Sequence, residues 1–598
     1  MMVETKVIYM SFSFTARFFT VIAGLLMLSQ CRRAEVQQQS VKPNVLIILT
    51  DDQGYGDLSI HGNPDINTPT LDSLAHESAQ FDRFYVSPLC APTRASLLTG
   101  RYHLRTGTIS VSKGMEIMQS GEVTLAEIFK ANGYKTGIFG KWHNGQHMPN
   151  HPLGQGFDEF FGFCGGHWSN YFDTELEHNG EKVQTKGYIT DILTDKALAF
   201  MENNKDSSFF CYVPYNAPHS PHQVPDEYFN KYKAKGLDDE LASIYGMVDN
   251  IDVNVGRLLK KLDALGLDKE TIVIFLTDNG PNGVRYNGGM KGIKGSVDEG
   301  GVRVPCFWRW PGIIKPGAIN LPGAHVDILP TLVDLCGLSM IETKPLDGVS
   351  LAQALKGEKQ VLERELFSHV AQPQLPIKAF PASVRKYPFT LIVQAEVKAL
   401  YNIAIDPAQE TDIRQQNPDI ADQLYEDYQA WFAEVSQSLQ PIPRIPISPA
   451  SKVIELPTYE STFGGNLRYK EGHGWVHDWL VNWTSTRDSI SWEVESPKDQ
   501  LFTIYLNYTC PEGQVGSQVK IAIGNSSIVQ KITDAYNPDF MPSPDRVKRK
   551  EVYEKLWKRL EMGILEVPAG NSRIVISAPV ISKSEVAELK SIELERRQ

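Results

Sequence analysis

Two continuous apolar runs, Asn44-Val-Leu-Ile-Ile-Leu-Thr50 and Thr271-Ile-Val-Ile-Phe-Leu-Thr277, constrain this chain more than any other feature. Neither alternates polar with apolar, so each reads as a strand buried on both faces. Helical patterns lie between them, over Thr124 to Asn132 and Ala242 to Leu265, the latter apolar at Ile244, Val248, Ile251, Val255 and Leu258. Strands alternating with helices predict an α/β unit whose sheet is covered on both sides.

A chain of 598 residues exceeds what one core supports, so more than one domain is expected. We place the α/β unit at residues 43–360. Strand-like segments Phe389 to Val393 and Ala399 to Ile403, then an amphipathic helix from Ile420 to Val435, mark a small α+β subdomain at 361–438. The proline-rich run Gln440 to Pro449 reads as a stiff linker within 439–457. Beyond it, alternation at Ile490/Trp492/Val494, Phe502/Ile504/Leu506, Val519/Ile521/Ile523 and Ile574/Ile576 predicts a β-sandwich over 458–598. The basic stretch Arg546 to Leu560 reads as a helix-like, solvated insertion in it.

The N-terminus carries an export-type pattern over residues 1–31: Arg17 precedes the apolar stretch Phe18 to Leu28, which is too short to span a bilayer. Leu28-Ser29-Gln30-Cys31 is a candidate lipoprotein box with Cys31 as the lipidated residue, against a plain cleaved signal. The expected location is therefore periplasmic, secreted or lipid-anchored at a bacterial envelope, with no membrane contact beyond such an anchor. Seven cysteines without close pairs or zinc-type spacing exclude a disulfide framework. A net charge of −12 without a basic stripe excludes nucleic acid as a partner.

Asp51-Asp52 and Asp278-Asn279 each follow directly on one of the two buried runs. Ligands in open α/β sheets gather beyond the carboxyl ends of strands, so both pairs are expected at one crevice. Three carboxylates and an amide oxygen suit calcium, and magnesium less well, rather than zinc. The alternative is that each pair merely caps a turn.

Between them stands Cys90-Ala91-Pro92-Thr93-Arg94, continued by Leu98-Thr99-Gly100-Arg101. This resembles the signature of the type I sulfatases, C-x-P-x-R followed by T-G-R. Asp51-Asp52-Gln53-Gly54-Tyr55-Gly56-Asp57, Gly140-Lys141-Trp142-His143, Asn216-Ala217-Pro218-His219, Thr277-Asp278-Asn279-Gly280 and Lys294-Gly295-Ser296 resemble further motifs of that family, in its order. The similarity covers residues 43 to 435 and implies an alkaline phosphatase-like sheet sandwiched by helices. It implies that a formylglycine-generating or anaerobic sulfatase-maturating enzyme converts Cys90 to formylglycine. It also implies one Ca²⁺ on Asp51, Asp52, Asp278, Asn279 and the modified Cys90, and a catalytic set of Cys90, Arg94, Lys141, His143, His219 and Lys294. His167 and His147 are weaker candidates for substrate contact. Asn144-Gly145 where Leu-Gly is usual, and Val297-Asp298 in place of an aromatic-Glu pair, depart from the family pattern.

The implied activity is hydrolysis of sulfate monoesters, on a sulfated polysaccharide or oligosaccharide such as ulvan or a glycosaminoglycan. Trp475, Trp479, Trp483 and Tyr505 in the C-terminal region are candidates for stacking on sugar, or for core packing. The competing readings are a phosphonate or phosphate monoester hydrolase of the same superfamily and an inactive glycan-binding protein.

Overall fold

In the computed structural model, which describes residues 42–597 apart from 372–374, 396, 438 and 440, the first apolar run forms strand β1 (Asn44–Thr50). The expected leader, residues 1–31, and Cys31 within it lie outside the described residues. β1 is central because its residues divide between two cores: Val45, Ile47 and Leu49 face one, Leu46 and Ile48 the other. The first core is roofed by helices α1 (Cys90–Thr99), Leu125–Ala131 and Ile328–Cys336. Across the sheet lie Ile189–Asn203 and α2 (Asp239–Ala264), which contributes Met247, Ile251, Val255 and Leu258. The Asp238 carboxylate accepts from Leu241 N and fixes the start of α2.

Strands β2 (Lys135–Lys141), β3 (Phe209–Pro214) and β4 (Thr271–Thr277) complete the centre. β1 pairs in parallel with both β3 and β4, and β2 in parallel with β3. Cys306–Arg309 adds antiparallel to β4, making a mixed sheet of ten strands. The register that matters aligns Thr50 with Thr277, so the residues that follow emerge side by side.

Leu366–His369, Ala382–Lys386, Phe389–Gln394 and Val397–Asn402 form an antiparallel four-stranded sheet, against which Pro418–Gln437 packs. The C-terminal region forms two further sheets enclosing one core, in which the alternating residues Ile490, Trp492, Val494, Phe502, Ile504, Leu506, Val519, Ile521 and Ile523 meet.

Two expectations are corrected here. The proline-rich segment is not a free linker: Ile445–Pro446 pairs with Ser489–Ser496, and Val453–Pro457 with Glu588–Arg596. Edge pairing tolerates proline, and burial of Ile447, Ile454 and Leu456 favours docking. The stretch from Arg546 to Leu560 is neither helical nor a solvated insertion. Arg546 donates to Val224 O at 2.8 Å, Gln223 donates to Asp545 at 2.6 Å, and Glu551 accepts from Ser220. These bonds to the α/β unit stabilise an extended path that a helix could not follow. No helix among the described residues is long and apolar enough to cross a membrane.

Candidate active site

Because Thr50 and Thr277 are in register, Asp51, Asp52, Asp278 and Asn279 come together at adjacent strand tips, all buried. Asp52 N donates to Asp278 Oδ1 at 3.2 Å, and Asn279 Nδ2 donates to Asp52 Oδ1 at 2.9 Å. Asp52 has φ 64°, a left-handed backbone uncommon outside glycine and held here by the contacts around it. Arg285, which the sequence reading missed, braces it by donating to Asp52 O at 2.9 Å and pairing with Asp57.

Cys90 opens α1, and Arg94 stands four residues on, so the C-x-P-x-R spacing puts both on one helical face. The Cys90 sulfur and carboxylate oxygens of Asp51 and Asp278 lie within 4.8 Å of one another. Burial pushes the Cys90 thiol up, and the ammonium groups of Lys141 and Lys294 only partly counter it. Arg94 is fully buried, donating through Nη2 to Asp278 Oδ2 at 2.8 Å and through Nη1 to Lys141 O at 2.8 Å. Asn144, one of the departures from the family pattern, donates to Ala91 O at 3.1 Å and so steadies the start of α1.

Lys141 Nζ reaches Asp51 Oδ2 at 2.5 Å, and Lys294 Nζ reaches Asp52 Oδ1 at 2.6 Å. Burial would raise the Asp51 carboxyl, but Lys141, His219 and Arg94 hold it well below the usual range. The His219 Nδ1 donates to Ser220 O at 2.6 Å, leaving Nε2 directed to Asp52 Oδ2 at 3.7 Å. His143, at φ 62°, donates from Nε2 to Val111 O at 3.0 Å, while its buried Nδ1 has no hydrogen-bond partner among the described residues. Burial, and after it Lys141, lowers the His143 pKa well below its ordinary value, so the ring is neutral. His167 lies parallel to His219 at 6.4 Å. His147 does not join this cluster; its Nε2 meets Glu460 of the C-terminal region at 2.9 Å. Lys113 is exposed on a loop.

The sulfatase family model matches residues 43–338. N-acetylgalactosamine-6-sulfatase of Mus musculus is 34% identical over 366 residues, spanning 54% of this chain and 68% of that protein. The chain belongs to the sulfatase family. Arylsulfatase A of Homo sapiens is 32% identical over 413 residues, 61% of this chain and 78% of that one. The solved structure of Ps i-CgsB in complex with k-i-k-neocarrahexaose is 30% identical, covers 67% of this chain and 94% of that chain, and superposes with a TM-score of 0.62. This sulfatase is therefore a sulfuric ester hydrolase of type I, on the alkaline phosphatase-like fold.

Sulfatases of this family depend on a metal, and the residues present fit one. Asp51 Oδ1, Asp52 Oδ2 and Asn279 Oδ1 are buried without a hydrogen-bond partner among the described residues. Orphaned buried oxygens are costly, and a hard cation satisfies them. Arg94, Lys141 and Lys294 are each matched by a carboxylate, so an added cation would give the centre a net positive field.

The sulfatase site also draws on the C-terminal region, which sequence motifs did not indicate. Gln146 Nε2 donates to Glu460 at 2.7 Å, and His167 meets the rings of Trp475 at 6.5 Å and His477 at 6.1 Å.

Proposed function

We propose that this sulfatase removes sulfate from a carbohydrate, through a formylglycine made from Cys90 and with one calcium ion held by Asp51, Asp52, Asp278, Asn279 and the modified residue 90. The observation that carries this reading is the approach of the Cys90 side chain to Asp51 and Asp278 within 4.8 Å at the paired strand tips. Five protein donors leave few positions for water, which favours calcium over magnesium. When bound, the cation polarises the ester and offsets the carboxylates.

The modification is a two-electron oxidation of the Cys90 CH₂–SH to an aldehyde by a maturation enzyme, with water supplying the carbonyl oxygen, sulfur leaving as sulfide, and two protons and the electrons passing to solvent and to that enzyme's oxidant. Hydration gives two hydroxyls on one carbon. One hydroxyl gives its proton to the neighbouring Asp278 carboxylate, its oxygen bonds to sulfur as the bond from sulfur to the sugar oxygen breaks, and the sugar oxygen takes a proton from His219 Nε2 or Lys294 Nζ. The second hydroxyl then gives its proton to His143 Nδ1, the carbonyl re-forms, and the carbon–oxygen bond to sulfate breaks. The neutral His143 ring with its free Nδ1 supports that role. Arg94 acts as a positioning residue that holds Asp278.

A carbohydrate substrate is supported by the names of the relatives, one an N-acetylgalactosamine-6-sulfatase and another captured with a neocarrahexaose. The leader pattern, with Cys31 as an anchor site, would put the enzyme where such polymers are met. Two measurements test the proposal. Mass spectrometry of the peptide containing residue 90 should show the aldehyde; an unmodified thiol in fully active enzyme would remove the mechanism. Aryl sulfate should be cleaved faster than aryl phosphate; the reverse would support the phosphate hydrolase reading.

A further inference from the structure

Of the four aromatic residues that the sequence offers for sugar stacking in the C-terminal region, Trp479 and Trp483 are fully buried. Tyr505 is covered by the Arg559 guanidinium, 3.3 Å from its ring centre. Trp475 differs. It is half-buried and stacks on the exposed ring of His473, with centroids 4.3 Å apart and planes 15° from parallel.

This pair lies beside the catalytic cluster, in contact with His167. The Trp475 ring meets His167 edge-on at 6.5 Å, and His167 lies parallel to His219 at 6.4 Å. His219 is the proposed proton donor to the leaving oxygen, so Trp475 stands two ring contacts from the group that meets the leaving sugar.

The loop carrying the pair is braced rather than loose. The Asp478 carboxylate accepts from Glu471 N at 3.3 Å, Gly474 N at 3.1 Å and Trp479 N at 2.9 Å. His477 packs edge-on to Trp168 at 4.4 Å, meets Glu554 at 3.0 Å, and its carbonyl accepts from Lys590 at 2.7 Å. Val476 lies so close to Gly165 that a β-carbon there would stand 2.8 Å from it. A platform held in this way loses little entropy when a ligand settles on it.

We propose that Trp475, backed by His473, binds the sugar ring next to the sulfated one, so that the C-terminal sandwich completes the active site instead of acting as a separate binding module. An aromatic face recognises the C–H face of a pyranose and needs no charge, which suits an uncharged residue of the chain beside a charged ester. The inference rests on the carbohydrate reading above.

The test compares full-length wild type, Trp475→Ala, Trp475→Phe and His473→Ala on two probes. One is the aryl sulfate 4-methylumbelliferyl sulfate, and the other is whichever member of a carrageenan, chondroitin sulfate and heparin oligosaccharide panel the wild type cleaves. In Trp475→Ala the KM for the oligosaccharide should rise about tenfold more than that for the aryl sulfate, equivalent to roughly 1.4 kcal/mol. Trp475→Phe should recover most of the loss, and His473→Ala should show a smaller loss in the same direction. Equal losses on both probes, or an unchanged oligosaccharide KM, would overturn the inference and leave the sulfatase reading standing. Wild type that cleaves the aryl sulfate but no oligosaccharide would overturn both the inference and the carbohydrate assignment.

Discussion

Gly166 lies so close to His143 that a β-carbon on it would stand 2.5 Å from the imidazole Nε2. Nε2 is also the atom that donates to Val111 O, so any side chain at 166 must displace the ring or break that bond. Gly166→Ala should therefore cut kcat about 100-fold, the scale of a misplaced general base, while thermal unfolding shifts little. Steady-state kinetics beside a melting curve decide it; near-normal kcat would detach His143 from the chemistry.

Asp278 pairs with Arg94 and belongs to the proposed ligand set. Asp278→Ala should abolish turnover and calcium binding and leave Arg94 buried without its partner, destabilising the α/β unit by about 3 kcal/mol. The C-terminal sandwich should stay folded. Calorimetric titration with calcium and urea unfolding measure the two effects separately.

Removal of metal has its own readout. Chelated enzyme should lose activity and melt earlier, because Asp51 Oδ1, Asp52 Oδ2 and Asn279 Oδ1 are then unsatisfied. Free calcium at about 100 times its Kd should restore about 2.7 kcal/mol of stability, by mass action, and magnesium less. Equal melting curves with and without chelator would contradict the metal assignment.

Cys90 is 2% exposed and its thiol is pushed up by burial. In protein made without a maturation enzyme, this thiol should resist alkylation until denaturant is added. Peptide mapping after iodoacetamide labelling checks this; rapid labelling of the native protein would show an opening that the packing does not have.

Glu554 gives a pH signature at the braced loop. Burial would raise its pKa, but Lys590 and His477 lower it from 4.5 to about 2. The folded pKa lies below the unfolded one, so the stabilisation is complete above pH 4.5 and is lost as pH falls through 2. Glu554→Gln should cost about 2 kcal/mol at neutral pH, with the difference from wild type shrinking in that window. Urea midpoints measured across pH report it; a difference that does not change with pH would point to packing instead.

Much of this protein was legible in its sequence where burial is encoded by local period. The unbroken apolar run of β1 is the mark of a strand with a core on each face, and Val45, Ile47 and Leu49 part from Leu46 and Ile48 accordingly. Alternation around Trp492 and Ile504 likewise foretold the sandwich core. The motif pointed to Cys90 and Arg94, whereas their place on one helical face emerged only in the structure. Period carries no information about partners, which is why the stretch from Arg546 read as solvated and residues 445–457 as a linker, although both are docked.

The sequence by itself determined which side chains follow the buried strands and which motifs the chain carries, and therefore which family it joins. Tertiary structure alone decided how those groups are balanced and what closes over them. His147 finds Glu460 across 313 residues, and His167 finds Trp475, because loops of the α/β unit and of the C-terminal region meet there. Such contacts depend on the complementarity of two finished surfaces, a property that no short stretch of either one contains.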